Sequence, residues 1–170
     1  PHVGRVQSHL SLRGRFTRDP FYSQMKLNPG GVCEYYAVTA QHLRMDVHRI
    51  PDSMTTAEAI TIEPWSCVMG GLKHCNIQPG DTVAVVGAGF MGQGFVHMAP
   101  LFGAGKVIAL DFSDWRLEKA REFGATHTIN PKSTDAVAAM RDLNNGRLAD
   151  TVIVIAPFAS NAVTRFTASV

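Results

Sequence analysis

Glycines at three positions of residues 87–92 (GAGFMG) have the spacing G-x-G-x-x-G, which is typical of loops that bind phosphate groups. The segment directly follows a short apolar, β-branched run and precedes a stretch of helical composition. In that context the first glycine permits a tight turn, the second lets the backbone approach a pyrophosphate, and the third lets the helix pack against the strand. Amides at the start of the helix would bind the anion. The residues that we expect to contact a dinucleotide are Gly87, Gly89, Phe90, Met91 and Gly92.

An acidic residue, Asp111, follows the glycine segment by about 20 residues and comes directly after the next apolar run. A carboxylate at this position can accept hydrogen bonds from both ribose hydroxyls of the adenosine half of a dinucleotide. It would also repel a 2′-phosphate, so the sequence favours NAD over NADP. Arg116 could accommodate such a phosphate, which leaves NADP as the less favoured alternative.

A parallel sheet is needed to position these residues, and the sequence after residue 79 predicts one. Four short apolar runs alternate with helical stretches, as parallel strands with right-handed crossovers require. The predicted strands are residues 82–86, 106–110, 126–130 and 151–155, and the predicted helices are residues 90–102, 113–124 and 134–143, with Ser160 capping a further one. Pro100 predicts a kink or an early end of the first helix. A complete dinucleotide-binding fold has six strands, so we expect a truncated one.

Upstream of the sheet, residues 1–29 give little pattern, and the sequence then predicts two extended segments and two helices. The extended segments are residues 32–38 and residues 42–50. Thr55 and Glu58 have the spacing of a capping box, which begins the first helix. Pro64 suits the first turn of the second helix, which we expect to end between residues 70 and 73.

Composition places the chain among ordinary globular proteins. Of its 170 residues, 45% are hydrophobic and 18% are charged, and the net charge is only +2. The basic residues are scattered, which argues against a nucleic-acid partner, and no run of about 18 apolar residues predicts a membrane span. Three cysteines, Cys33, Cys67 and Cys75, fit neither a disulfide framework nor a zinc ribbon. We therefore expect a reducing, cytoplasmic setting.

Several motifs in order along the chain resemble the medium-chain dehydrogenases/reductases. They are residues 30–35 (GGVCEY), the Glu63-Pro64 pair, residues 78–83 (QPGDTV), the glycine segment itself and residues 116–125 (RLEKAREFGA). The Glu63-Pro64 pair is similar to the junction motif of the zinc-type branch that contains polyol (sorbitol) and threonine dehydrogenases. Several ordered motifs at the proper spacing are far more specific than one glycine segment.

The resemblance implies an α/β fold in two parts. Residues 1–78 correspond to the C-terminal portion of a GroES-like catalytic β domain with its junction helices. Residues 79–170 correspond to a partial Rossmann domain, a doubly wound parallel sheet that binds NAD. The chain begins with Pro1 and not with methionine, and we expect it to be a fragment truncated at both ends.

The resemblance also implies a reaction, hydride transfer between NAD and a secondary alcohol, a polyol or the matching carbonyl. Zinc in such enzymes acts as a Lewis acid, and Glu63 is the one metal candidate in this sequence. The other ligands of the family, a cysteine and a G-H-E histidine, should precede Gly30, and residues 1–29 contain neither pattern. We therefore expect most zinc ligands to lie outside this fragment. Cys67, one helical turn after Glu63, could face the same site, although a buried thiol is the simpler interpretation.

Two alternatives stay open. One is a zinc-independent quinone or enoyl reductase of the same family, against which Glu63-Pro64 and Asp111 both argue. The other is a non-catalytic NAD(P)-binding module. For the leading interpretation we expect a small-molecule alcohol or carbonyl substrate, no nucleic-acid or membrane partner, and a homo-oligomeric full-length protein.

Overall fold

The structure, a computed structural model, describes residues 33–35, 37–45 and 47–156. The chain divides into two compact units between Pro51 and Asp52, and each unit is considered by itself. The sequence predictions for residues 1–29 and for a helix capped by Ser160 lie outside the described residues. No helix of the described ranges is long and apolar enough to cross a membrane.

The first unit contains one described helix, α1 (Ala40–Met45). The backbone N–H of Leu43 donates to the carbonyl of Thr39 at 3.0 Å, and Arg44 Nε donates to the carbonyl of Ala40 at 3.1 Å. The prediction of an extended segment that starts at residue 42 is therefore wrong. The sequence AQHLRM consists mostly of strong helix formers, and this local preference determines the structure. Within the predicted strand 32–38, the described residues show a single bridge residue, Ala37.

Two helices begin the second unit, α2 (Thr56–Ala59) and α3 (Ile62–Leu72). The predicted capping box is confirmed, because the Thr55 N–H donates to Glu58 Oε2 at 2.7 Å and the Glu58 N–H donates to Thr55 Oγ1 at 3.3 Å. Helix α3 begins slightly earlier than predicted, so that Pro64 lies in its first turn, where its missing N–H has no helical acceptor to lose.

The four predicted strands all form. They are β1 (Thr82–Val86), β2 (Lys106–Leu110), β3 (His127–Ile129) and β4 (Thr151–Val154). They pair in the order β3-β2-β1-β4, and every pairing is parallel. The strand order reverses between β1 and β4, so this is the point at which open α/β sheets bind ligands outside the carboxyl ends of their strands. The predicted α/β fold with a parallel sheet is confirmed.

Helices on both faces of the sheet form the crossovers. They are α4 (Phe90–Met98), α5 (Asp114–Glu122) and α6 (Ala136–Leu143). Helix α4 ends just before Pro100 and continues as a 3₁₀ helix over Ala99–Phe102. This confirms the predicted early end, since a proline within the α-helix would remove one hydrogen bond and crowd the preceding turn.

The apolar core lies on the two faces of β1 and β2. All five residues of β1 are buried, as expected for a strand covered on both faces. One face packs against α3, α4 and α5 through Val68, Leu72, Phe95, Val96, Leu117 and Ala120. The other face packs against α6 through Ala136 and Met140. This packing fixes the carboxyl ends of β1 and β2, from which the glycine segment and Asp111 extend.

Candidate coenzyme-binding site

The turn after β1 has the geometry that the glycine spacing predicts. Gly87 has a φ of 100°, a left-handed conformation that favours glycine. Its N–H donates to the carbonyl of Leu110 at 2.8 Å, which ties the turn to the end of β2. A Cβ at Gly92 would collide with the carbonyl oxygen of Gly87. The first and third glycines therefore permit the turn and the close approach of α4 to the end of β1.

The second glycine of the motif, Gly89, lies at the N-cap of α4 and has an extended backbone, with φ −72° and ψ −168°. A Cβ built on Gly89 would meet no atom within 4 Å. The protein itself therefore does not require a glycine at this position, and the space next to it is open. The amides of the first turn of α4, which include Phe90 and Met91, have no acceptor within the helix and suit an anion.

Asp111 follows β2 directly and is held against the glycine turn. Its Oδ2 accepts a hydrogen bond from the backbone N–H of Ala88 at 2.8 Å, and its Oδ1 accepts one from the N–H of Ser113 at 2.9 Å. Only 9% of its side chain is exposed. A carboxylate has about four acceptor positions, so room is left for ribose hydroxyls. Asp111, which the sequence predicts to bind ribose, therefore also anchors the glycine turn through its hydrogen bond to Ala88.

Arg116 lies on α5, whose N-cap is Ser113. A guanidinium nitrogen of Arg116 is 3.6 Å from Asp111 Oδ2, and 52% of the Arg116 side chain is exposed. Solvent screening makes such a half-exposed ion pair weak. The structure thus brings the glycine turn, Asp111 and Arg116 together at one edge of the sheet.

Gln93 belongs to the same cluster, and the sequence interpretation missed it. It lies on α4, and its Nε2 donates to the carbonyl of Ala88 at 2.8 Å and to the carbonyl of Arg116 at 3.0 Å. The available signal is a single amide within the otherwise apolar first turns of α4 (FMGQGF). A polar side chain that follows a glycine loop so closely has backbone groups within reach.

Glu63, the predicted metal candidate, lies in the first turn of α3 and is exposed. The Cys67 Sγ donates to Glu63 Oε1 at 3.6 Å, so the two side chains that the sequence placed one turn apart do meet. The negative charge of Glu63 is the main cause that raises the pKa of the Cys67 thiol, followed by desolvation and by this hydrogen bond. Cys67 is exposed and not buried.

The donor set around Glu63 fits part of a zinc site. Zinc takes four ligands, and a carboxylate and a thiolate are both suitable. The Glu63 carboxylate and the Cys67 sulfur lie 3.6 Å apart, in a contact in which the protonated thiol is the hydrogen-bond donor. Within residues 33–35, 37–45 and 47–156, however, no three His, Cys, Asp or Glu side chains converge as metal ligands do. A zinc ion here would need further ligands from elsewhere.

Known proteins that are similar to this chain are zinc-binding and polyol dehydrogenases. Residues 90–165 match a family described as zinc-binding dehydrogenase. The sorbitol dehydrogenase of Bacillus subtilis (strain 168) is 40% identical over 109 residues, which are 64% of this chain and 31% of that protein. This chain thus spans about a third of the length of the curated relatives that it matches.

Two solved structures carry coenzymes. A short chain alcohol dehydrogenase from E. coli CFT073, complexed with NADH, has 30% identity and a TM-score of 0.62 over 76% of this chain and 37% of that chain. A protein from Sinorhizobium meliloti 1021 described as a zinc-binding dehydrogenase, bound to NADP, has 34% identity and a TM-score of 0.53 over 56% of this chain and 29% of that chain.

Proposed function

We propose that this chain, which belongs to the zinc-type dehydrogenases of the medium-chain dehydrogenase/reductase family, forms the coenzyme-binding part of an NAD-dependent alcohol or polyol dehydrogenase. The observation that carries the proposal is the hydrogen bond between the Ala88 N–H and Asp111. It joins a phosphate-binding turn to a ribose-binding acid at the edge of the sheet where the strand order reverses. Residues 79–170 form the NAD-binding part in this proposal, and residues 1–78 belong to the GroES-like catalytic part.

Coenzyme binding follows from the chemistry of the described groups. The amides of Phe90 and Met91 at the positive end of α4, next to the open side of Gly89, would hold the pyrophosphate. Gly87 and Gly92 bring the backbone close enough for this contact. The remaining acceptor positions of Asp111 would receive hydrogen bonds from the ribose hydroxyls of the adenosine half.

NAD is the preferred coenzyme in this proposal, because a 2′-phosphate would come close to the Asp111 carboxylate, which is 9% exposed. Arg116 is the group that could neutralise such a phosphate, but its guanidinium already lies 3.6 Å from Asp111. This contact is weak, because 52% of the Arg116 side chain is exposed. The negative charge of Asp111 therefore favours NAD, and NADP is the less favoured alternative.

The metal part of the proposal assigns Glu63 to the zinc site, as a ligand or as the group that holds a metal-bound water. Zinc, when bound, polarises the oxygen of the alcohol and lowers its pKa. The carboxylate of Glu63 is exposed and accessible on α3, and Cys67 adds a second donor next to it. The remaining ligands come from outside the described residues.

The wider setting of the full-length protein is also proposed. Its substrate is a small alcohol, polyol or the matching carbonyl, and it acts as a cytoplasmic homo-oligomer without nucleic-acid or membrane partners. Cys67 and Cys75 are free thiols, which suits a reducing compartment.

The test uses the full-length protein, purified without chelator, in three forms: wild type, Glu63→Ala, and Glu118→Ala as a control at an exposed acid of α5. Zinc content, NADH binding and NAD-dependent oxidation of secondary alcohols and polyols are measured for each. We expect zinc and activity in the wild type and the control. In Glu63→Ala we expect loss of zinc or of activity, with NADH binding unchanged.

Other outcomes separate the alternatives. A wild type that binds NADH but carries no zinc belongs with the zinc-independent reductases. A protein that binds NADH and oxidises or reduces no substrate is a nucleotide-binding module. A wild type that binds no nicotinamide coenzyme contradicts the whole proposal.

A further inference from the structure

The side-chain amide of Gln93 joins two separate elements near the glycine turn. Its Nε2 donates to the carbonyl of Ala88 in that turn at 2.8 Å and to the carbonyl of Arg116 on α5 at 3.0 Å. Both facing groups are carbonyl oxygens, which can only accept hydrogen bonds, so the NH₂ end of the amide must point to them.

Ala88 is consequently held from both sides. Its N–H donates to Asp111 and its carbonyl accepts from Gln93, each at 2.8 Å. The residue is 1% exposed. Ala88 directly precedes Gly89, so these two hydrogen bonds fix the backbone from which the first amides of α4 extend.

A closed ring of contacts results. Gln93 binds Ala88, Ala88 binds Asp111, the Asp111 carboxylate faces the Arg116 guanidinium at 3.6 Å, and the Arg116 carbonyl accepts from Gln93. The ring connects the glycine turn, the end of β2 and the first turn of α5. These are the three elements that hold the pyrophosphate and the adenosine ribose in the proposed function.

The amide of Gln93 has opposing effects on the stability of the fold. The Oε1 of Gln93 is buried and has no hydrogen-bond partner among the described residues. A buried acceptor without a partner is unfavourable, and this cost opposes the two hydrogen bonds that Nε2 donates. A methionine would fill the same volume on α4 and is an equally good helix former.

We propose that Gln93 is a positioning residue for the coenzyme, which fixes the spacing between the pyrophosphate-binding turn and the ribose-binding Asp111. The inference rests on the proposed coenzyme binding and goes beyond it in assigning a role to a residue that touches no coenzyme. A role in positioning the coenzyme and a role in folding predict different effects of the same substitution. The first predicts weaker coenzyme binding by a folded protein, and the second predicts a large loss of stability.

The test compares the full-length wild type with Gln93→Met and with Gln78→Met. Gln78 is a matched control, because its Nε2 also donates to a backbone carbonyl, that of Asn76 at 2.9 Å, in an exposed turn before β1. Dissociation constants for NADH and for ADP-ribose are measured by titration, together with the thermal midpoint of each protein without ligand. ADP-ribose reports on the pyrophosphate and ribose contacts alone.

We expect Gln93→Met to raise both dissociation constants about 5- to 20-fold, because ligand binding must then order a turn that Gln93 no longer holds in place. Its thermal midpoint should lie within about 4 °C of that of the wild type, since the two lost hydrogen bonds are offset in part by removal of the unpaired Oε1. Gln78→Met should bind both ligands as the wild type does. Unchanged binding by Gln93→Met would overturn the inference. An unfolded Gln93→Met, or one whose thermal midpoint falls well below that range, would assign Gln93 to folding and would also overturn it. A wild type that binds neither ligand would instead refute the proposed function itself.

Discussion

The carboxylate of Asp111 accepts a hydrogen bond of 2.8 Å from the backbone N–H of Ala88, so the acid at the end of β2 is attached to the glycine turn that follows β1. In the proposed site this acid has two roles, since it receives the ribose hydroxyls and holds the turn that receives the pyrophosphate. The two halves of the adenosine diphosphate contact are therefore coupled through one side chain.

Removing the charge of Asp111 tests the first of these roles. Asp111→Asn keeps one oxygen that can accept from Ala88, but it loses the carboxylate that faces Arg116 and the ribose. Hydrogen bonds to charged groups contribute about 1.5–3 kcal/mol, so we expect the dissociation constant of NADH to rise about 10- to 100-fold. That of NADPH should rise less or fall. Fluorescence titration with both coenzymes measures the change.

Asp142→Asn is the control for Asp111→Asn, because Asp142 is exposed near the C-terminal end of α6. That end lies at the amino edge of the sheet, where Lys106 Nζ donates to the carbonyl of Leu143 at 2.6 Å. The control should bind NADH as the wild type does. Equal affinity of Asp111→Asn and wild type for NADH would contradict the ribose assignment.

Two glycines of the motif should respond differently to the same substitution. A Cβ at Gly92 collides with the backbone of Gly87, so Gly92→Ala should destabilise the fold by about 1–3 kcal/mol, the usual range for overpacking. A Cβ at Gly89 meets open space, so Gly89→Ala should change the free energy of unfolding by less than about 1 kcal/mol. In the proposed site its Cβ would nevertheless occupy the space through which the pyrophosphate approaches the turn.

Denaturant unfolding and NADH titration of the two variants separate these effects. We expect Gly89→Ala to remain folded with weakened NADH binding. Gly92→Ala should lose stability whether or not coenzyme binds. A Gly89→Ala variant with wild-type affinity would show that the coenzyme does not approach the turn at this residue.

The capping box of α2 predicts a pH dependence of stability. Hydrogen bonds from the Thr55 backbone, chiefly, and from its hydroxyl lower the pKa of Glu58 below its ordinary value. A carboxyl whose pKa is lower in the folded state stabilises the protein above the unfolded-state pKa, and this stabilisation is lost as the pH falls through the folded-state pKa. Glu58→Gln keeps an acceptor and cannot titrate.

Urea unfolding of the wild type and of Glu58→Gln at neutral pH and below the ordinary glutamate range checks this prediction. The wild type should be the more stable protein at neutral pH, and the difference should shrink in acid. A difference that stays constant over this range would show that the charge of Glu58 does not contribute to the cap.

The sheet could be predicted from sequence because its signals are local. Short β-branched runs between glycine and proline turns gave all four strands, and Pro100 gave the end of α4. The prediction of an extended segment over residues 42–50 failed at α1, because most residues of Ala40–Met45 are strong helix formers. The correct strands and the wrong extended segment both rest on short runs of neighbouring residues, which are the source of secondary-structure signals in a sequence.

The connections between elements could not be predicted in the same way. Gln93 and Arg116 meet only after β2 has paired with β1 and the crossover helices have packed. The buried hydrogen bond from Thr82 Oγ1 to Asn144 Oδ1, 2.8 Å long, likewise joins residues far apart in sequence. A single sequence contains no periodic signal for such contacts, because they arise from packing and not from local preference.

The most direct test of the central claim is calorimetric titration of the full-length wild-type protein with NADH, followed by NADPH and ADP-ribose. We expect one NADH site for each chain, weaker binding of NADPH, and measurable binding of ADP-ribose at the same site. Failure to bind any of the three ligands would contradict the assignment of the glycine turn and Asp111 to a coenzyme site.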